Sequence, residues 1–319
     1  MEQIIKAAVD RGASDLHIRA GDVFRARING ELVALTKQAL TPEQTRGIAL
    51  HVMANEHDKA GLDNILDYDC SWSASGIGRF RVNIMRQRGS LSIVMRVVPW
   101  EIPTFEKLGL PPVLSKIASV EQGMILVTGE TGSGKSSTMA ALINDINQRE
   151  NRHILTLENP IEFLHSDINS SVTQREIGSD TTDFKTGLRA ALRQDPDVIM
   201  IDDEMRDAES VDIAIKVAET GRLLVSTLHT PDAESTILRI MKSFPTEEQE
   251  VIRMRLAESL YAVISQRFLP KRSGNGRAVA VEVMVNTPEI KDLIREGTRL
   301  GEIRDLIDFE LNMRMFSLC

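Results

Sequence analysis

The residues with the most definite chemistry are Gly129-Glu130-Thr131-Gly132-Ser133-Gly134-Lys135-Ser136, with Ser137 next in line. Glycines at this spacing let the backbone curl until several N–H groups point at one anion. The helix that follows adds its positive N-terminal end. Lys135 supplies charge to the β and γ phosphates, and the Ser136 hydroxyl suits Mg²⁺. An apolar run, Met124 to Thr128, leads in and a helical pattern leads out, the context that a triphosphate-binding loop requires. The expected ligands are therefore ATP and Mg²⁺.

A phosphate loop alone only binds; hydrolysis needs a carboxylate to hold the metal or orient water. Two acidic clusters fall at the ends of expected strands, the edge where ligands bind in parallel sheets. In Thr156-Leu157-Glu158-Asn159-Pro160-Ile161-Glu162, Pro160 imposes an extended turn, so that both glutamates are candidates for the crevice. In Val198-Ile199-Met200-Ile201-Asp202-Asp203-Glu204, four apolar residues run into acids, a general Walker B pattern whose acid end is expected at the metal held by Ser136. His229 stands alone after the run Leu223 to Thr227, and a lone histidine is more often structural than catalytic. Alternate arginines, Arg79 and Arg81, with Arg96 further on, read either as a solvated strand face or as charge for a γ phosphate, from the same subunit or a neighbour.

These residues need a framework. Residues 1–98 mix short alternating runs with helix. Ile4 to Val9 starts a helix that Gly12 ends, Asn29-Gly30 marks a hairpin, and Gly78–Asn83 and Leu91–Arg96 read as a strand pair. The expectation is a small α+β domain with an antiparallel sheet. Residues 99–114 hold Pro99, Pro103, Pro111 and Pro112 and read as a linker. In residues 115–319, strands alternate with helices, including Lys135–Asn147, Phe184–Arg193 and Met205–Thr220, as in a mostly parallel α/β sheet.

Composition narrows the class. With 319 residues, two domains are expected. Cys70 and Cys319 cannot build a disulfide framework or a four-cysteine zinc site. No run approaches about 18 apolar residues, and the N-terminus is too polar for a signal peptide. A net charge of −8 argues against a nucleic-acid binder.

Taken together, the clusters resemble the secretion-ATPase superfamily, and within it the retraction motors of type IV pili. The resemblance is carried by Gly-Ala-Ser-Asp-Leu-His at 12–17, Arg-Phe-Arg-Val-Asn at 79–83, the phosphate loop, and Glu-Asn-Pro-Ile-Glu at 158–162. It continues through Glu-Met-Arg-Asp at 204–207, Ala-Glu-Thr-Gly to Thr-Leu-His-Thr at 218–230, and Thr-Pro-Glu-Ile-Lys-Asp-Leu-Ile-Arg-Glu at 287–296. It implies a PAS-like N-terminal domain, a RecA-like P-loop ATPase domain, and a homohexameric ring with nucleotide between subunits. By position, Glu162 resembles the catalytic glutamate, Glu204 the Walker B glutamate and His229 the His-box histidine. Arg81 and Arg96 resemble the arginines that approach the phosphates. The implied function is an ATP-hydrolysing motor for pilus retraction and twitching motility. Such a motor is cytoplasmic, touches the inner face of the cytoplasmic membrane only peripherally, and works on an inner-membrane platform protein and the pilus machinery.

The chain departs from the family pattern in places. Asn159 stands where Asp is usual, and Arg222 replaces a histidine. Asp202-Asp203-Glu204 replaces Gly-Glu, one residue longer, which leaves either Asp203 or Glu204 as the metal-side acid. The chain also stops at Cys319, before the family's C-terminal helices usually end. Two alternatives stay open: an accessory or weakly hydrolysing, nucleotide-gated partner of a working paralogue, and a DNA-translocating ATPase.

Overall fold

The computed structural model describes residues 1–53, 55–99, 101–205, 207–271 and 277–307; of 204 and 277 it describes the backbone alone. The described residues form two compact units, those of 1–99 with Glu162–Leu164, and those of 101–161 with 165–307.

The first unit is built from α1 (Glu2–Val9), β1 (Ala13–Arg19), β2 (Arg25–Ile28), β3 (Glu31–Ala34), α2 (Pro42–Val52), α3 (Glu56–Ala60), β4 (Asp67–Ala74), β5 (Gly78–Gln87) and β6 (Ser90–Val97). Its strands form an antiparallel sheet in the order β3-β2-β1-β6-β5-β4. The β2–β3 hairpin turns at Asn29 and Gly30, at φ 51° and 85°, the left-handed pair that a two-residue turn needs. Thr41 and Gln44 cap α2 reciprocally, with Pro42 opening the helix. Strict alternation on β5 buries Phe80, Val82 and Ile84 with Ile18, Ile93 and Met95 and turns Arg79 and Arg81 to the opposite face.

The second unit runs α4 (Phe105–Leu108), α5 (Val113–Ala118), β7 (Gly123–Thr128), α6 (Lys135–Arg149), β8 (His153–Glu158), β9 (Ser171–Glu176), α7 (Phe184–Ala191), β10 (Val198–Glu204), α8 (Ala208–Glu219) and β11 (Leu223–Leu228). It continues with α9 (Ala233–Lys242), α10 (Gln249–Ser259), β12 (Leu260–Pro270), β13 (Arg277–Val285) and α11 (Pro288–Glu296). The sheet order is β13-β12-β7-β11-β10-β8-β9, parallel except for β13 against β12. Both central strands β7 and β11 are buried along their whole length, because a helical layer covers each face. One face packs Ile125, Val127, Val198 and Met200 against α5 and α6. The other packs Met124, Leu126, Ile199 and Ile201 against α7, α8 and α9. Helix α8 begins at Ala208, three residues later than its apolar pattern suggests. Asp207 caps it by accepting from the Ser210 N–H, and Met205 is spent in the core.

Burial pushes the His165 imidazole down to about 4. Among the described residues its Nδ1 is buried without a hydrogen-bond partner, so desolvation sets the shift against the charged form. The unfolded chain then binds a proton below about pH 6.5 that the folded chain refuses until about pH 4. Stability present above pH 6.5 should therefore drain away across that window, at no more than about 1.4 kcal/mol per pH unit. Denaturant unfolding at pH 7.5 and 5.0 checks this; a His165→Gln variant should flatten the slope.

Candidate functional site

The phosphate loop occupies the turn from β7 into α6 in the second unit. Gly134 is the N-cap of α6 at φ 94°, a left-handed conformation that glycine accepts freely. At Gly129, an added Cβ would lie 2.2 Å from the Gln266 carbonyl oxygen, so the loop and β12 approach as only glycine allows. Inside the loop the Ser133 N–H donates to the Glu130 carbonyl at 3.1 Å. Lys135 is buried, and its Nζ donates to the carbonyls of Gly129 and Glu130 at 2.9 and 3.0 Å. Glu130, Thr131 and Gly132 form the exposed lip, and Ser136 and Ser137 sit half-buried in the first turn of α6. Several N–H groups, a helix N-terminus and an ammonium thus share one small volume, which suits a polyphosphate.

Strand pairing brings other groups to this loop. Leu228 pairs with Thr128, so His229, one step beyond β11, arrives beside the loop. Its Nδ1 lies 3.3 Å from Thr131 Oγ1. Strand β10 delivers Asp202: Ser136 Oγ donates to Asp202 Oδ1 at 3.3 Å. The sequence had pointed to Asp203 or Glu204 for this place; strand parity sets Asp203 on the other face. Val198 and Met200 face α6, so Asp202 does too, whereas Ile199 and Ile201 face α7 and α8, and so does Asp203. Asp203 accordingly lines a cavity of about 390 Å³ with Phe184, Leu188, Met205 and Asp207. The extra length of the segment is absorbed as a bulge. Against β11, Ile201 pairs with Ser226 and Glu204 with Thr227, leaving Asp202 and Asp203 between them. Against β8 the register runs on unbroken to Asp202 opposite Glu158. The Glu204 side chain lies outside the described residues.

Glu158 is buried, and it accepts from Thr156 Oγ1 at 2.6 Å and Gln174 Nε2 at 2.9 Å. Glu176, also buried, accepts from the Ile161 N–H at 3.0 Å. These bonds fix the acidic turn after β8. Arg222 is spent on the Pro196 carbonyl and Thr220 Oγ1.

In the first unit, Arg81 on β5 lies directly opposite Arg96 on β6, which in turn lies opposite Asp15 on β1. Like charges placed opposite each other are unfavourable unless anions offset them. Arg96 Nε donates to Asp15 Oδ1 at 2.9 Å, and Arg81 donates to Glu162 Oε1 at 3.1 Å. Burial, the largest single influence, would raise the Asp15 carboxyl; the bonds from Arg96 and Ser14 together with the charges of Arg96 and His17 outweigh it and leave it below the ordinary range. Asp15, from the Gly-Ala-Ser-Asp-Leu-His motif, thus orients Arg96, whose side chain stays 68% exposed.

The Leu-Ile-Arg-Glu segment is the last turn of α11. Leu293 and Ile294 are core. Arg295 and Lys291 both pair with Glu258 of α10, and the Arg295 carbonyl accepts from Arg253 Nε at 2.8 Å. Its charges therefore tie α11 to α10.

A family model described as type II/IV secretion system protein matches residues 1–315. The type IV pilus retraction ATPase PilT of Pseudomonas aeruginosa is 41% identical over 99% of this chain and 92% of its own. The type IV pilus ATPase PilU of the same organism is 41% identical over 96% of this chain and 79% of its own. Among solved structures, the pilus retraction motor PilT with bound ADP superposes with a TM-score of 0.86 at 45% identity, covering 96% of this chain and 89% of that one.

Proposed function

This chain belongs to the type II/IV secretion system protein family, and from that premise we infer that it is a pilus-retraction motor driven by ATP hydrolysis at the phosphate loop. The observation that carries the reading is the convergence of Lys135, Ser136, Asp202 and His229 on one loop at the C-terminal edge of a parallel sheet.

Roles follow from position. The loop N–H groups and Lys135 bind the β and γ phosphates, with Lys135 exchanging loop carbonyls for phosphate oxygens. The Ser136 hydroxyl and the Asp202 carboxylate are hard oxygen donors on a shared face and fit Mg²⁺, which neutralises charge on the phosphates when bound. His229 steadies the exposed lip of the loop through Thr131. To Glu162 we assign the orientation of the attacking water, and to Arg81 and Arg96 the charge that meets the γ phosphate. We further assign a homohexameric ring acting on an inner-membrane platform protein, with the chain at the cytoplasmic face of the membrane. Support comes from the two pilus ATPases above; among the described residues, no helix is long and apolar enough to cross a membrane.

A second reading has a specific observation behind it. The β10 bulge alters the Walker B segment, as a nucleotide-gated partner of a working paralogue would tolerate. Steady-state phosphate release and nucleotide affinity of the purified chain separate the two. Sustained turnover supports the motor. Micromolar binding with no turnover above background would overturn it in favour of the partner, and turnover that needs DNA would overturn both.

A further inference from the structure

We propose that Gln266 is a positioning residue for the phosphate loop, setting the direction of a loop N–H from beneath. The proposal deepens the nucleotide-binding reading and rests on it. Gln266 lies on β12, next to β7 in the sheet, and is 4% exposed. Its side-chain amide joins the two ends of the loop's exit. Nε2 donates to the Ser133 carbonyl at 2.7 Å, and Oε1 accepts from Thr138 Oγ1 at 2.8 Å. A carbonyl can only accept, so the Ser133 contact fixes which end of the amide carries the N–H. Thr138 and Ser133 are themselves 1% and 5% exposed, so bulk water is a poor substitute partner for the Ser133 carbonyl.

The consequence is geometric. The peptide joining Ser133 to Gly134 is planar and trans, so its C=O and N–H point in opposite directions. Pinning the carbonyl down onto β12 turns the Gly134 N–H away from β12, as an anion at the head of α6 requires. The packing around the bond leaves little other choice. A Cβ on Gly134 would meet Gln266 Nε2 at 3.2 Å and Phe268 Cζ at 3.3 Å, and one on Gly129 would meet the Gln266 carbonyl oxygen at 2.2 Å. One residue earlier, Ser265 Oγ accepts from Thr128 Oγ1 at 2.9 Å, locking β12 to β7 immediately before the loop begins. Gln266 touches no reacting atom and acts through Ser133 and Gly134.

The test compares the unaltered 319-residue chain with Gln266→Leu, Gln266→Glu and Thr138→Val. Three quantities are measured: titration with a fluorescent ADP analogue, steady-state ATP turnover, and thermal unfolding without nucleotide. Gln266→Leu should weaken ADP binding by about tenfold and raise KM in step, since the Ser133 carbonyl loses its donor. Gln266→Glu keeps the shape and the Thr138 bond but sets a carboxylate oxygen against the Ser133 carbonyl, and it should be weaker still. Thr138→Val leaves the Ser133 bond in place and should cost no more than about threefold. Unfolding midpoints without nucleotide should drop for Gln266→Leu and Gln266→Glu, because each leaves the buried Ser133 carbonyl without its donor, so affinity is read well below each variant's own midpoint. The proposal is overturned if Gln266→Glu folds and binds ADP within twofold of the unaltered chain, or if Thr138→Val costs as much as Gln266→Glu. Should Gln266→Leu not fold, the isosteric Gln266→Glu decides. An unaltered chain that binds ADP without turning ATP over would sink the hydrolysis reading, yet the affinity series would still decide this one.

Discussion

Asp202→Asn is expected to lower ATP turnover by about two orders of magnitude and to move the Mg²⁺ dependence of nucleotide binding to higher concentration, whereas Asp203→Asn should stay within about threefold. The asymmetry comes from the pleat. Successive side chains of a strand face opposite layers, and Asp202 shares its face with Met200, Val198 and the phosphate-loop helix. Its carboxylate receives the Ser136 hydroxyl at 3.3 Å. Asparagine preserves its shape but removes the negative charge that suits a divalent cation. Asp203 faces the layer of α7 and α8, where it borders a mixed cavity with Phe184, Leu188, Met205, Lys185 and Asp207. Removing its charge alters that cavity and not the loop. Phosphate release against Mg²⁺ concentration for Asp202→Asn, Asp203→Asn and Glu204→Gln checks the assignment. Equal losses at positions 202 and 203 would refute it, and a loss confined to Glu204→Gln would return the metal to the residue the family pattern names.

That parity was available in the sequence. The apolar run from Val198 to Ile201 could be counted, but not which layer each half would meet. The face was decided by Val198 and Met200 packing with Ile125 and Val127 on the side of α5 and α6, a contact between segments far apart in the chain. The bulge was likewise visible only as one surplus residue; its register against β11 needed the neighbouring strand. By contrast, the phosphate loop and the hairpin at Asn29-Gly30 were legible because their chemistry is local: glycine conformations and the strand-to-helix context determine them. Strand β12 was lost for the opposite reason. Helix α10 ends at Ser259 and the strand starts at Leu260, with no glycine or proline between, so the run Ser-Leu-Tyr-Ala-Val-Ile carries no stop signal. The same omission hid Gln266, which becomes meaningful only when β12 pairs with β7 and lies under the loop. Asp15 illustrates the reverse case. A motif seen in the sequence without a role acquired one once β1 and β6 set Asp15 opposite Arg96.

The Glu162 assignment leads to the other large effect. Glu162→Gln should reduce kcat by about 10² to 10³ while leaving nucleotide affinity within about threefold. A carboxylate that orients water acts on the transition state, so its loss lowers kcat without loosening ground-state binding. Its ion pair with Arg81 bears on the alternative, a structural role. Arg81 donates to Glu162 Oε1 at 3.1 Å, and the two side chains are 40% and 37% exposed. A pair this open to water contributes no more than about 1 kcal/mol to stability. Glutamine retains a carbonyl oxygen for the Arg81 bond, so even that small contribution is largely kept. A structural role for Glu162 therefore predicts little change in either thermal stability or activity for Glu162→Gln. The catalytic role predicts an unchanged unfolding midpoint with turnover nearly gone. Single-turnover phosphate release on the assembled oligomer, run beside a thermal melt, separates these. Arg81→Gln sharpens the comparison, because it breaks the same ion pair from the other side. If the ion pair itself were what mattered, Arg81→Gln would lower the melt, whereas Glu162→Gln, which keeps the bond, would leave melt and turnover near those of the unaltered chain. If Glu162 orients water and Arg81 meets the γ phosphate, both lose turnover with their melts unmoved, and Arg81→Gln alone also weakens ATP relative to ADP.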